Sequence, residues 1–210
     1  MNETTGKGFN LVLVGLVGSL GSGRTDISNF LYYSYGFAKI NFKDSVKGVA
    51  KILGKTDIPS LQTIKHVIRG CFGKDVWIKL LEKRIGEEMA SKLIQAYSIP
   101  GVDEVKPVLR IVVGDVEYKE EFDFIKEKNG LLIGLKTNKK AIYEQVKRRI
   151  EKIPSFEEFK KWLKHPSVIE IPSLIKKCDF IIDSNKMTLP KVEERVDEIV
   201  RRCFLGNLIR

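Results

Sequence analysis

The run Gly18-Ser19-Leu20-Gly21-Ser22-Gly23-Arg24-Thr25 sets two glycines five residues apart and follows the second with a basic residue and a hydroxyl. Residues of these types at this spacing suit phosphate chemistry. Glycines let successive backbone N–H groups converge on phosphate oxygens, a helix starting at the end of the run adds its positive N-terminus, and the hydroxyl holds Mg²⁺. Gly18, Ser19, Gly21, Ser22, Gly23, Arg24 and Thr25 are therefore expected to hold phosphate oxygens, with Thr25 as a metal ligand. The usual basic residue of such a loop is lysine, so Arg24 keeps the charge but replaces a compact ammonium with a planar fork. Asp115, after the apolar run Val108 to Gly114, is the natural second Mg²⁺ ligand, directly or through water. The alternative for Asp115 is a loop carboxylate that helps the next helix to start.

Such a loop works only between a strand and a helix, and the flanks supply both. Leu11-Val12-Leu13-Val14-Gly15 reads as a buried strand, and Ile27, Phe30 and Leu31 recur at helical spacing until Gly36. A glycine-rich turn that binds nothing would lack a reason for this order. A signal peptide is excluded by Glu3, by the breaks at Gly15 and Gly18, and by the amphipathic helix that follows. Downstream, a short strand at Ala38 to Phe42 precedes a helix from about Ser45 to Leu53. Ser60 is expected to cap a helix carrying Leu61, Ile64, Val67 and Ile68, and a longer helix carries Val76, Trp77, Leu80, Leu81 and Ile85. Strands at Val108 to Gly114, Leu131 to Leu135 and Phe180 to Ile182 are separated by a helix ending at Asn129-Gly130 and a basic helix from Asn138 to about Lys152. A short helix bears Phe156, Phe159 and Trp162, and a last helix carries Val192, Val196, Ile199 and Val200.

This alternation predicts an α/β chain, a five-stranded parallel sheet with helices on both faces and right-handed crossovers. Ligands of such sheets sit beyond the carboxyl ends of the strands. Lys43-Asp44, Asp115 and Lys136-Thr137 would then gather beside the glycine loop.

At 210 residues and 43% hydrophobic content the chain suits a single domain. No apolar run approaches the roughly 18 residues that span a bilayer, so the expectation is a cytoplasmic protein without a membrane partner. The formal charge of +10 favours a polyanion. Nucleic acid ranks last among the candidates, because aromatic residues are not interleaved with basic pairs such as Lys139-Lys140. Cys71, Cys178 and Cys203 read as reduced, mostly buried thiols, and two histidines offer no zinc site. Nothing in the pattern sets an oligomeric state.

In this order of motifs the chain resembles the P-loop nucleoside monophosphate kinases, especially the deoxynucleoside monophosphate kinase and dephospho-CoA kinase branch. Gly18 to Thr25 is similar to the family's phosphate loop, and Phe42-Lys43-Asp44-Ser45-Val46-Lys47 to its acceptor-side F-x-D-x-x-K segment. Arg69 with Phe72-Gly73-Lys74-Asp75-Val76-Trp77 resembles R…FG-x-D-x-W, and Asp115 to Glu121 resembles D-V-R-[FY]-x-x-E. Lys147-Arg148-Arg149 with Phe156 to Phe159 looks like a lid, and Cys178 to Ser184 like the A-D-[YF]-x-I-[DN]-N ending. The resemblance implies a P-loop NTPase fold with a helical acceptor-binding insertion near residues 44–100 and a short basic lid near 147–165. It implies transfer of the γ-phosphoryl of ATP to a nucleoside or deoxynucleoside monophosphate, with the loop from Gly18 to Thr25 on the phosphates of ATP and Arg24 in a catalytic role, Asp44, Lys47 and Arg69 on the acceptor, Asp44 also in a catalytic role, and Arg148 and Arg149 closing over the transferring group. Glu117 stands where the family pattern has an arginine, a charge that would repel an acceptor phosphate. Beside Arg24, it raises the alternative of a nucleotide-binding sensor or partner subunit with weakened catalysis.

Overall fold

The computed structural model of the chain describes residues 10–97, 108–147 and 155–205. Its strands are β1 (Asn10–Gly18), β2 (Ala38–Lys39), β3 (Val108–Val116), β4 (Leu131–Lys136) and β5 (Phe180–Asp183). They form one sheet in the order β2-β3-β1-β4-β5, and every pairing in it is parallel. The helices are α1 (Arg24–Tyr35), α2 (Phe42–Ile52), α3 (Ile58–Phe72), α4 (Val76–Tyr97), α5 (Lys119–Glu127), α6 (Lys139–Lys147), α7 (Phe156–Trp162), α8 (Pro166–Ile169), α9 (Ile171–Ile175) and α10 (Leu189–Val200).

Alternation along β1 divides the core. Leu13 and Val17 point into a cluster with Phe42 and Val46 of α2, Trp77 and Leu81 of α4, Ile125 of α5 and Leu174 of α9. Val14 and Leu16 point the other way, onto Ile27 and Leu31 of α1 and Val192 and Val196 of α10. Burial on both faces is what a central parallel strand requires, and it explains the uninterrupted apolar run. A smaller cluster joins Ile142 and Val146 of α6 to Phe159 of α7, with Leu20 of the glycine loop against it.

The register between β1 and β3 slips near the site. Gly15 faces Val113 while Val17 faces Val116, so β3 carries an extra residue and Val113 and Val116 share one core cluster. A bulge of this kind re-aims side chains at the end of a strand, and Asp115 and Glu117 lie at that end.

Several boundaries differ from those read in the sequence. β1 runs on to Gly18 rather than stopping at Gly15, because Gly18 still pairs with Leu135. β2 is only Ala38–Lys39, and Phe42 begins α2 with Asn41 as its cap. The cap of α3 is Asp57, whose side chain accepts the Ser60 amide at 3.0 Å, so Ser60 lies within the first turn. The thiols are less buried than expected: Cys71 is exposed and Cys178 and Cys203 are partly so. Among the described residues no helix is long and apolar enough to cross a membrane.

Candidate functional site

The glycine loop connects β1 to α1 and takes backbone shapes that few other residues would accept. Gly21 and Gly23 have φ of 75° and 94°, the left-handed region that costs a Cβ-bearing residue about 1–2 kcal/mol. Beside Gly23 there is open space, whereas a Cβ at Gly18 would lie 2.4 Å from the Ser22 Oγ. No side chain caps the N-terminus of α1. Its first-turn N–H groups thus lack an internal partner, which suits a phosphate.

A cavity of about 540 Å³ opens at this point, bounded by Gly21, Gly23, Arg24 and Thr25 on one side and by residues of α2, α3 and the end of β3 on the other. Its volume falls within the range of small-molecule sites. Asp115 and Glu117 line its floor, and Asp44 and Lys47 its far side. The structure thereby brings seven of the predicted positions to one cavity: Gly21, Gly23, Arg24, Thr25, Asp44, Lys47 and Asp115.

At the centre of the floor is Glu117, 4% exposed. Arg24 Nη2 lies 3.4 Å from its Oε1, Lys65 Nζ 3.3 Å from its Oε2, and Lys43 Nζ also donates to Oε1. Burial alone would raise the Glu117 pKa, but Lys43, Lys65 and Arg24 outweigh it and hold the carboxyl far below its ordinary range. The expectation that Glu117 would present a repelling charge is therefore corrected: three cations neutralise it. Arg24 retains one buried nitrogen, Nη1, without a hydrogen-bond partner among the described residues, and so does the Ser22 Oγ. Both sit at the loop where phosphate oxygens would lie.

Lys65 is fully buried, on α3, and also lies 2.7 Å from the Glu121 carboxylate. Desolvation opposes its charge, yet Glu121, Glu117 and Asp115 together raise its pKa. Glu121 moves up to about 7, first through burial and further through Asp115 and Glu117, with Lys65 pulling against them. Its Oε2 also accepts the Glu117 and Tyr118 amides, which closes the N-terminal turn of α5.

Asp115 is 6% exposed and accepts the Phe42 and Lys43 amides at 2.9 and 2.7 Å. It starts a helix, as the alternative reading allowed, but that helix is α2 and not the next one in sequence. Asp115 and Thr25 both border the cavity, and each offers oxygen, the donor type that suits Mg²⁺. Asp44 closes the capping box of α2 and receives Arg84 Nη1 at 2.8 Å.

Arg69 lies elsewhere than expected. Its guanidinium donates to Glu120 at 2.7 Å and stacks 4.3 Å over the Tyr118 ring, and Arg69 is not among the residues that bound the cavity. Arg148 and Arg149 lie outside the described residues. Lys65, Gln62 and Arg84 were not singled out by sequence. Gln62 and Lys65 are buried on α3 by its tertiary packing, which no local pattern of residue types reports.

A glycine loop between the central strand and α1, on an all-parallel sheet ordered β2-β3-β1-β4-β5, defines a P-loop NTPase fold. The chain resembles the P-loop nucleoside monophosphate kinase superfamily. It is 26% identical over 212 residues to an Acanthamoeba polyphaga mimivirus protein named "Putative deoxynucleotide monophosphate kinase", covering 90% of this chain and 95% of the viral one. The shikimate kinase of Bacteroides thetaiotaomicron shares the fold with a TM-score of 0.51 at 12% identity, covering 90% of this chain and 98% of that enzyme. A shikimate kinase of Acinetobacter baumannii, solved with shikimate, gives a TM-score of 0.49 at 17% identity over 95% of this chain and 96% of that one. No family model matches the chain.

Proposed function

We propose that the protein is an ATP-dependent kinase that phosphorylates a nucleoside or deoxynucleoside monophosphate. The observation that carries this reading is one cavity bounded both by the glycine loop and by α2 and α3, so that a donor phosphate and an acceptor would meet over Glu117 and Asp115. The named resemblance of the viral relative supports the choice of acceptor.

In the reaction an acceptor phosphate oxygen attacks the γ-phosphorus of ATP, the bond to the β–γ bridging oxygen breaks, and ADP leaves. The protein's work in such a transfer is positioning and charge neutralisation. The loop amides and α1 N-terminus would hold the donor phosphates, with Arg24 Nη1 supplying a further donor. Thr25, and Asp115 through water, would hold Mg²⁺, which neutralises charge on the phosphates when bound. Lys43 and Lys47 would draw the acceptor phosphate, while Asp44, oriented by Arg84, would fix the acceptor in line. Arg148 and Arg149 would complete the lid over residues 147–165, and the α2–α4 region would form the acceptor-binding insertion. ADP release measured across a panel of monophosphates, with and without Mg²⁺, tests the reading; no stimulation by any acceptor refutes it.

A second reading is favoured by one contact. Glu117 holds Arg24 by one guanidinium nitrogen, and an arginine so held suits nucleotide binding without efficient turnover. Nucleotide-dependent thermal stabilisation without ADP release would select it.

A further inference from the structure

The charge cluster under the cavity contains one cation set apart from it. Lys65 is 0% exposed and is not among the residues that border the cavity, whereas Glu117, Arg24 and Lys43 are. Its surroundings hold it from several sides. The Lys65 carbonyl accepts Trp77 Nε1 at 2.9 Å, and its ammonium lies 5.5 and 5.2 Å from the centres of the Phe42 and Tyr118 rings. Glu121, whose Oε2 accepts the Glu117 and Tyr118 amides, lies 2.7 Å from the ammonium through Oε1. An ammonium buried between carboxylates is seldom a gain in stability over an apolar side chain of the same volume. Stability alone therefore does not account for Lys65.

The two oxygens of Glu117 divide their partners. Oε2 faces Lys65 at 3.3 Å, while Oε1 receives Arg24 Nη2 at 3.4 Å and also Lys43 Nζ. A carboxylate free to turn would exchange its oxygens; one held at Oε2 by an anchored ammonium keeps Oε1 on the two cations of the cavity. The effect on Arg24 is directional. A guanidinium carries its donors in a rigid planar fork, so anchoring Nη2 aims Nη1, the buried nitrogen that has no hydrogen-bond partner among the described residues. A lysine at position 24, a point charge with three rotatable donors, would need no such aiming.

We infer that Lys65 is a positioning residue of the phosphate site: through Glu117 it fixes the Arg24 guanidinium so that Nη1 is presented to a phosphate oxygen of ATP, with Lys43 held beside it. This rests on the glycine loop being the ATP site proposed above and is independent of the acceptor's identity. Lys65 itself touches no nucleotide.

Affinity of the full chain for Mg²⁺-ATP, read by calorimetry, and for adenosine, which lacks phosphates, read by NMR titration, tests it. In Lys65→Met the ATP affinity is expected to fall ~10-fold or more, the worth of a hydrogen bond to a charged group, with the adenosine affinity unchanged. A purely structural role would weaken both together. Loss of Lys65 also leaves Glu121 without its cation, so Lys65→Met/Glu121→Gln is measured alongside, with melting temperatures, in case the single variant does not fold. The double variant is expected to regain stability and to keep the loss of ATP affinity. A wild-type ratio of ATP to adenosine affinity in either variant overturns the inference, as does a wild type that binds ATP no more tightly than adenosine. In turnover, kcat is expected to fall ~10²-fold in both variants, as for a group misplaced by about 1 Å, with a smaller change in the acceptor KM. A wild type that binds ATP but releases no ADP with any monophosphate refutes the acceptor reading, and the affinity ratio then decides the role of Lys65 by itself.

Discussion

The Arg24 guanidinium lies 3.4 Å from the Glu117 carboxylate across the floor of the cavity. These are two of the positions at which the chain departs from the pattern it resembles, and they are in contact. Read separately, an arginine in the loop and a glutamate at the end of β3 each weaken a phosphate site. Together they form one buried ion pair, supported by Lys43 and Lys65, in which each substitution answers the other.

The pair should therefore behave as a unit. In a double-mutant cycle of Arg24→Met and Glu117→Gln, read by urea unfolding, the coupling is expected to be about 1–3 kcal/mol. Additive effects would mean that the contact contributes nothing to the folded state.

Removal of the carboxylate should be costly. Glu117→Ala leaves the fully buried Lys65 with less compensation, and truncating one partner of a buried pair typically costs about 3–5 kcal/mol. The accompanying variant Glu117→Ala/Lys65→Met should recover much of that loss. Equal destabilisation of the single and double variants would show that packing, not charge, is at stake.

The same carboxylate sets an acid limb. The Glu117 pKa is lowered on folding from an ordinary value of 4.5, so its contribution is present above that value and is lost as pH falls below it toward the folded-state value. Unfolding free energy measured between pH 2 and 7 should decline on the acid side in the wild type, and the decline should be shallower in Glu117→Gln. Parallel acid limbs would assign the effect to other carboxylates.

Much of the fold was legible because apolar periodicity reports burial directly. β1 through β5 and the amphipathic α10 follow from runs such as Leu11 to Val14 and Val192 to Val200. Site residues were legible where the backbone itself makes the site, as in the glycine loop. They were hidden where tertiary packing buries a polar side chain, as for Gln62 and Lys65. They were also hidden where a side chain serves a distant element: Asp115 is 72 residues from the Lys43 amide it accepts. Arg69, at a motif position, is held by a local carboxylate, Glu120, a contact that the motif does not show.

Asp115→Asn should separate structure from metal binding. One charged acceptor of two amides is replaced by a neutral carbonyl and an amino group, and the unliganded protein is expected to lose about 1–3 kcal/mol. If Asp115 also serves Mg²⁺, the Mg²⁺-dependent part of nucleotide stabilisation in a thermal-shift experiment falls as well. An unchanged Mg²⁺ dependence would confine the residue to starting α2.

Gly23→Ala should report on the loop. A Cβ there meets no neighbour, but φ of 94° is strained for alanine, so stability is expected to fall by about 1–2 kcal/mol. The methyl would also enter the open space beside the loop, where the proposed reading puts a phosphate, and ATP affinity measured by calorimetry should then fall more steeply than stability. Unaltered ATP binding would place the nucleotide elsewhere.

Glu117 as a shared hub also constrains how this sequence can change over time. An arginine at position 117 alone would set a fourth cation beside Arg24, Lys43 and buried Lys65, whereas a lysine at position 24 keeps the charge and changes only its reach to the Glu117 carboxylate. The two positions are thus expected to be inherited together, and variation at one should be conditional on the other, on Lys43 and on Lys65. Epistasis of this kind would let the departure persist in a lineage irrespective of whether it ever improved the chemistry.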